Sequence, residues 1–267
     1  MNIVIIGFGK MGKLLEARAL EKGHKIAAIV DPYVMDPYSE EDISPLGTPI
    51  YKSLDILRTL AEKPDAALEF TRPYEAPENL LFLAKEKIPA VTGTTGWYDK
   101  LPEISALVKE AGTSLFWASN FSLGMNLFYR VAAYTAEIFD PFPEYDAGGF
   151  EIHHNKKADS PSGTARSIAE KMLLKMTRKK KAVYEKLDSP PAPDELHIAS
   201  LRVGSVQGVH SIIFDSPSDT VELIHTLRNR EGLVSGALKA AEWLTSQKRK
   251  GVFTMDDMLI DILDRSK

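Results

Sequence analysis

The sequence has no cysteine. Disulfides, thiolate catalysis and cysteine-ligated metals are therefore excluded, and a reducing compartment is compatible with the chain. No apolar run approaches the roughly 20 residues that a membrane-spanning helix needs. Met1 leads straight into a short apolar run and a glycine loop, without the basic start and long apolar core of a signal peptide. The expected setting is the cytoplasm, with no membrane contact. Nor is one sign of charge in excess. Lys and Arg number 33 against 37 Asp and Glu, a formal net charge of −4, which gives no reason to expect a nucleic-acid partner. The one basic run, residues 178–181, follows an apparent helix, where cations suit the C-terminal dipole. What remains is ordinary for a globular protein: 267 residues, 44% hydrophobic and 26% charged, enough for one large or two modest cores.

Residues 2–6 are an apolar run, followed by Gly7-Phe8-Gly9-Lys10-Met11-Gly12 and a helical pattern through Leu14, Leu15, Ala17, Ala19 and Leu20. A second apolar run, 26–30, ends in Asp31. A strand, a G-x-G-x-x-G turn, a helix and a second strand closed by an acid about 20 residues on make the dinucleotide-binding arrangement. The glycines permit a tight turn and close approach to a pyrophosphate, and Asp31 can accept from a ribose hydroxyl. A 2′-phosphate is normally met by an arginine beside this acid. Here Pro32 and Tyr33 follow, which favours NADH over NADPH, with Lys10 and Lys13 in the same turn as counterweight.

A loop is expected over 34–48 and a helix over 53–62. Beyond them come a strand at 66–70, a helix at 76–87, a strand at 90–91, a helix at Leu101–Ala111 and a strand at 114–118. Such alternation implies a right-handed parallel sheet, whose ligands lie beyond the carboxyl ends of the strands. Phe70-Thr71, Gly93-Thr94-Thr95 and Ala118-Ser119-Asn120-Phe121 fall at those ends. After Phe121 the pattern changes to a helix at Leu123–Phe139, a Pro-rich segment at 140–146 and a helix from 162 to 176. Strands then follow at 182–184, 196–203, 209–214 and 219–226, largely without helices between them, which suggests a mixed or antiparallel sheet covered on one face. Helices at 232–245 and 254–263 are expected to return to the first domain. The fold class is thus α/β, a Rossmann-type parallel-sheet domain plus a second α+β domain with a mixed or antiparallel sheet. Residues 1–121 and 230–267 are expected to bind the dinucleotide, and 122–229 the substrate.

The densest chemistry lies in residues 151–165, EIHHNKKADSPSGTA. It suggests a strand end with titratable groups, a loop, then a helix start capped by Ser160 or Asp159 with Pro161 in the first turn. Free N–H groups of Ser162, Gly163 and Thr164 favour an anion, as do Lys156 and Lys157. His153 and His154 can exchange protons near neutral pH, but adjacent strand residues face opposite ways, so only one is expected to face a given ligand. The segment suits proton chemistry on an acidic small molecule.

The motifs GFGKMG at 7–12, EFTRP at 69–73, TGTTGW at 92–97, ASNFSLGMN at 118–126, HHNKKADSPSGTA at 153–165 and LRVGSVQGVHSIIF at 201–214 together closely resemble the dihydrodipicolinate reductase family, also described as 4-hydroxy-tetrahydrodipicolinate reductase. The resemblance implies a reductase of the diaminopimelate route to lysine. NADH or NADPH would reduce a cyclic imine-type dicarboxylate, with loss of water, to tetrahydrodipicolinate. It further implies His153 and Lys157 as the proton-transfer pair and His154, Gly163 and Thr164 as substrate ligands. The cofactor segments would be residues 7–12, Asp31, 93–95 and 118–121, and the protein a homotetramer assembled through the second domain's sheet. The residues agree on chemistry: hydride addition leaves negative charge on the ring, for which Lys157 or protonated His153 can supply a proton. The two carboxylates suit the lysines and the Ser162–Thr164 amides, with Arg202 and His210 as additional candidates. This chain departs from many members at Lys10, Glu69 and Val209, where arginine, aspartate and glutamate are common, and its glycine loop is one residue shorter.

Competing readings fit less of the chain. A dehydrogenase acting on aspartate or diaminopimelate shares the first domain but has no reason to carry HHNKKADSPSGTA. A non-catalytic NAD-responsive protein has no need of His153 and Lys157 together. No metal is expected, since His153 and His154 diverge on a strand and lack a clear third ligand.

Overall fold

The computed structural model describes residues 1–33, 41–184 and 186–265. They form two compact units, Met1–Ser122 with Glu231–Lys267, and Leu123–Arg230. In the first unit the chain runs β1 (Asn2–Ile6), α1 (Lys10–Glu21), β2 (Lys25–Val30), β3 (Glu41–Ile43), β4 (Pro49–Tyr51), β5 (Ala66–Glu69), α2 (Ala76–Lys85), β6 (Ala90–Thr92), α3 (Leu101–Ala111) and β7 (Ser114–Trp117). The second unit holds α4 (Leu123–Phe139), β8 (Asp146–His153), α5 (Gly163–Leu173), β9 (Lys181–Val183), β10 (Glu195–Arg202), β11 (Val209–Asp215) and β12 (Thr220–Thr226). The chain then re-enters the first unit with α6 (Glu231–Ser246), β13 (Gly251–Phe253) and α7 (Met255–Asp264).

The first sheet has the order β13-β7-β6-β5-β1-β2-β4-β3, parallel except for the β3–β4 edge pair. Its central strands are buried on both faces, so they read as unbroken apolar runs such as Ile3-Val4-Ile5-Ile6 rather than alternating ones. Strand order reverses at β1, which has β2 on one side and β5 on the other. Such a switch point opens a crevice beyond the strand ends.

Three expectations change here. The loop expected over 34–48 contains β3; residues 34–40 lie outside the described ones. The helix expected over 53–62 is a single 3₁₀ turn, Leu54–Arg58, started by Ser53 Oγ accepting from Asp55 N–H and burying only Leu57. β4 and β13 were not anticipated, because three residues are too few to show a period of two.

The second sheet is mixed, in the order β12-β11-β8-β10-β9. β8 pairs antiparallel with β11 and parallel with β10. Met125, Phe128, Tyr129, Ala132 and Ala136 fall at helical spacing on α4, and Ala165, Ile168, Ala169 and Met172 on α5. They pack with Leu196, Ile198, Ile212 and Phe214 of the sheet into one core. At the start of α5, Ser162 rather than Ser160 or Asp159 is the cap: its Oγ accepts from Ala165 N–H at 3.1 Å. Pro161 lies just outside the helix, after a cis Ser160–Pro161 bond.

Candidate active site

In the first unit, the turn after β1 is shaped by contact. Gly7 has φ +91°, and a Cβ there would stand 2.4 Å from the Phe70 carbonyl oxygen. A Cβ on Gly12 would stand 2.1 Å from the Gly7 carbonyl oxygen, so α1 can start against the turn only with glycine there. Gly9, by contrast, would meet nothing within 4 Å; its open face is where a pyrophosphate could approach. Asp31 is buried, and its carboxylate already holds the turn: Oδ2 accepts from Phe8 N–H at 2.6 Å and Oδ1 from Tyr33 N–H at 2.8 Å. At the ends of β5 and β6, Thr92 Oγ1 donates to Glu69 Oε2 at 2.5 Å, Thr71 Oγ1 donates to Glu69 Oε1, and Thr71 N–H donates to Thr94 Oγ1 at 2.9 Å. Burial pushes the Glu69 carboxyl up, against the hydroxyls that favour its charged form.

Two cavities follow this rim. One of about 680 Å³ is lined by Gly7, Gly9, Asp31, Phe70 and Thr71, together with Lys52 and Arg72. Another of about 420 Å³ is lined by Gly9, Lys10, Met11, Phe70, Thr71, Gly93, Thr94 and Thr95. Phe8 and Gly12 stand behind them, buried. Ala118, Ser119, Asn120 and Phe121 line neither cavity. Phe121 packs 5.9 Å from the rings of Phe70 and Phe116, and Asn120 Oδ1 accepts from Ser122 N–H at 2.9 Å. The glycine turn, its open face and the two cavities fit an extended dinucleotide. Arg72, stacked 4.3 Å over the Tyr33 ring, puts a cation in the first cavity that the residues next to Asp31 in sequence did not disclose.

In the second unit, β8 turns Glu151 and His153 to one face, as period two requires. Cross-strand register then supplies their company: His210 of β11 and Ser200 of β10 stand opposite Glu151, and Arg202 opposite His153. Glu151 is fully buried. Its Oε1 accepts from Ser162 N–H at 2.9 Å, Ser200 Oγ at 2.9 Å and Arg202 Nη2 at 2.8 Å; its Oε2 lies 2.6 Å from His153 Nδ1. Burial alone would push this carboxyl up, but the Ser162, Arg202 and Ser200 hydrogen bonds prevail and hold it down at about 2. His153 is lowered from its ordinary value by burial, opposed by Glu151 and reinforced by Lys157 and Arg202. His210, with its ring 5.2 Å from that of His153, is lowered to about 4 by burial and by His153.

Lys157 Nζ donates to both oxygens of Asp159, at 2.6 and 2.8 Å. His154 has left the strand, and its buried Nδ1 has no hydrogen-bond partner among the described residues. Gly163 and Thr164 open the first turn of α5, where amides lack partners within the helix. The structure therefore gathers His153, Ser162, Arg202 and His210 around one carboxylate. Glu151 and Ser200 were missed in sequence. The signal for Glu151 was its i, i+2 spacing from His153; Ser200 had none.

Glu151, His153 and His210 offer ligand atoms within 4.8 Å of one another, so a third ligand exists that adjacent histidines did not reveal. Oε1 of that carboxylate already accepts from Ser162, Ser200 and Arg202 and Oε2 faces His153 Nδ1, so both oxygens are engaged within the protein.

Two family models match the chain: "Dihydrodipicolinate reductase, N-terminus" over residues 1–121 and "Dihydrodipicolinate reductase, C-terminus" over residues 124–259. A 4-hydroxy-tetrahydrodipicolinate reductase from Christiangramia forsetii is 33% identical over 98% of this chain and 99% of its own. One from Archaeoglobus fulgidus is 30% identical over 97% and 100%. Among solved structures, a dipicolinate-bound dihydrodipicolinate reductase from Paenisporosarcina sp. TG-14 shares the fold with a TM-score of 0.77 at 23% identity, covering 95% of this chain and 97% of its own. With both halves matched in order and relatives aligned end to end, the chain belongs to the dihydrodipicolinate reductase family of oxidoreductases.

Proposed function

We propose that this protein reduces 4-hydroxy-tetrahydrodipicolinate to tetrahydrodipicolinate, with loss of water, in the diaminopimelate route to lysine. The observation that carries the reading is the cluster in the second unit, where one buried carboxylate holds His153, Arg202 and the start of α5 together. The turn from Gly7 to Gly12, with Asp31, Phe70, Thr71 and residues 93–95, would hold a reduced nicotinamide dinucleotide, which supplies the hydride when bound. Ala118 to Phe121 would support that site from behind, through Phe121 against Phe70. The Gly163 and Thr164 amides, the Ser162 hydroxyl, His154 and the Arg202 guanidinium bind the two substrate carboxylates, as helix-start amides and a planar guanidinium suit such groups; the Ser162 amide, expected to be free, is taken by Glu151 instead. His153 and Lys157 form the proton-transfer pair, with Lys157 carrying a charge that Asp159 balances until substrate arrives.

NADH is the favoured cofactor because Asp31 closes β2 with Pro32 and Tyr33 after it rather than an arginine, and a carboxylate at that point of the motif disfavours a 2′-phosphate. Arg72 in the same cavity supports NADPH as the second choice. The apolar side chains exposed on the second sheet, Leu201, Val221 and Ile224, with Val203 just past the end of β10, support a homotetramer built through that sheet; light scattering giving a monomer mass would refute it. No helix among the described residues is long and apolar enough to cross a membrane, in keeping with a cytoplasmic enzyme. The deciding experiment is oxidation of NADH, and separately NADPH, by purified protein with substrate generated in place from aspartate semialdehyde and pyruvate. Substrate-dependent oxidation is expected with both, faster with NADH. Protein that binds NADH yet oxidises neither would sink the reading.

A further inference from the structure

We infer that Glu151 is the positioning residue of the site: Oε2 fixes the ring of His153 with its proton on Nδ1, while Oε1 locks Arg202 and the start of α5 in register with that ring. The inference deepens, and rests on, the proton-transfer role proposed for His153. Both Glu151 Oε2 and His153 Nδ1 are buried, neither is hydrogen-bonded to any other described group, and the two atoms stand 2.6 Å apart as an ion pair. A buried carboxylate oxygen left alone is costly, so the shared proton satisfies both atoms at once. Oε1 is fully engaged by Ser162, Ser200 and Arg202 and cannot swing away. The imidazole is thereby held with Nε2 turned toward Gly208, where an added Cβ would come within 3.1 Å of it.

The charged and titratable groups facing His153 are Glu151 on its own strand, Lys157 from the turn that follows, Arg202 from β10 and His210 from β11. Lys157 and Arg202 oppose a positive ring and Glu151 alone favours it. Without that carboxylate the imidazolium needed to donate a proton would be formed far less readily.

The test is ¹⁵N-histidine NMR of the whole chain, with the His153 signals assigned by their loss in His153→Gln. The wild-type protein is expected to show the Nδ1–H tautomer; an Nε2–H tautomer there would overturn the inference without any variant. Glu151→Gln keeps an oxygen for Ser162, Ser200 and Arg202 but can turn an NH₂ toward Nδ1. It should switch His153 to Nε2–H and lower its pKa by about one unit or more, as loss of an adjacent opposite charge does. With substrate, kcat should fall at least about tenfold while KM changes little, and the alkaline limb of the kcat profile, where the proton-donating imidazolium is lost, should move to lower pH with the histidine. In the His153→Gln background, Glu151→Gln should cost nothing further in kcat. An unchanged tautomer and pKa, or a full additional loss in that background, would reduce Glu151 to packing. Because the tautomer is read without turnover, a wild-type chain that reduced nothing would defeat the proposed function and leave this inference decided on its own measurement.

Discussion

At the scale of single residues, the candidate site divides into groups that chemistry announces and groups that only contact reveals. Lys157 is of the first kind. Its ammonium is bound to Asp159 at 2.6 and 2.8 Å, a pair that a substrate carboxylate can replace. Lys157→Ala is expected to lower kcat by roughly 10²- to 10⁴-fold, the usual range for a lost acid or base, with NADH binding nearly intact in a fluorescence titration. Full turnover would remove Lys157 from the mechanism. Gly208 is of the second kind. A Cβ there would stand 3.1 Å from His153 Nε2, tighter than ordinary van der Waals contact, so the imidazole must shift by a few tenths of an ångström. Gly208→Ala should therefore lower kcat by roughly tenfold, since small misplacements of a reacting group are costly; an unaltered kcat would show that Nε2 does not face the chemistry. His153, Lys157 and the Ser162–Thr164 run were legible because they sit within a dozen residues of one another. Glu151 was not, because what gives it meaning arrives from Ser200 and Arg202, 49 and 51 residues away. Arg72 was hidden in the same way, since its place beside Tyr33 comes from β5 lying next to β1 rather than from adjacency to Asp31.

At the scale of elements, the return of the chain into the first unit depends on one small residue. On α6 a Cβ added to Gly236 would come 1.8 Å from the Phe121 carbonyl oxygen, and backbone cannot yield as a side-chain tip can. Gly236→Ala should destabilise the protein by about 1–3 kcal/mol or more, read as a fall in Tm. Gly163→Ala, whose Cβ would meet nothing within 4 Å, should leave Tm nearly unchanged. Equal Tm values for the two variants would mean that α6 is not seated against Phe121. Long elements were readable because their periodicity is dictated by burial. α3 and α4 span Leu101–Ala111 and Leu123–Phe139, the ranges their apolar spacing predicts, and the strands from β9 to β12 fall within two residues of expectation. The short strands β3, β4 and β13 exist through pairing with a neighbour already in place, which no local pattern records. The cap of α5 was placed too early, at Ser160 or Asp159, for a related reason. Several hydroxyl residues compete to cap it, and the choice of Ser162 is made by its amide bonding to Glu151, a tertiary contact.

At the scale of the whole molecule, the two units meet acid with different sets of titrating groups. The second unit buries His153 and His210 and half-buries His225, and desolvation is the chief cause that depresses the folded-state pKa of each. For each, the unfolded chain takes up a proton first, so stability is complete above the ordinary value of 6.5 and is lost as pH falls from there toward the folded value. For His210, which reaches about 4, that loss is up to about 3 kcal/mol. Glu151, held at about 2, contributes stability that is present above its ordinary value of 4.5 and is lost as pH falls from there toward 2. The first unit contains Glu69, whose raised carboxyl works the other way: burial penalises its charged form, and protonation relieves that penalty. Acid should therefore weaken the second unit well before the first. The three tryptophans, Trp97, Trp117 and Trp243, all lie in the first unit, so their emission reports it alone, whereas far-ultraviolet circular dichroism reports both. Urea unfolding followed by the two signals at pH 7.5 and pH 5 should show the dichroism midpoint falling further than the tryptophan midpoint, with an early phase that tryptophan does not see. Midpoints that move together would mean that the buried histidines titrate as they do in the unfolded chain, and the polar cluster around Glu151 would then have to be wetter than its burial implies.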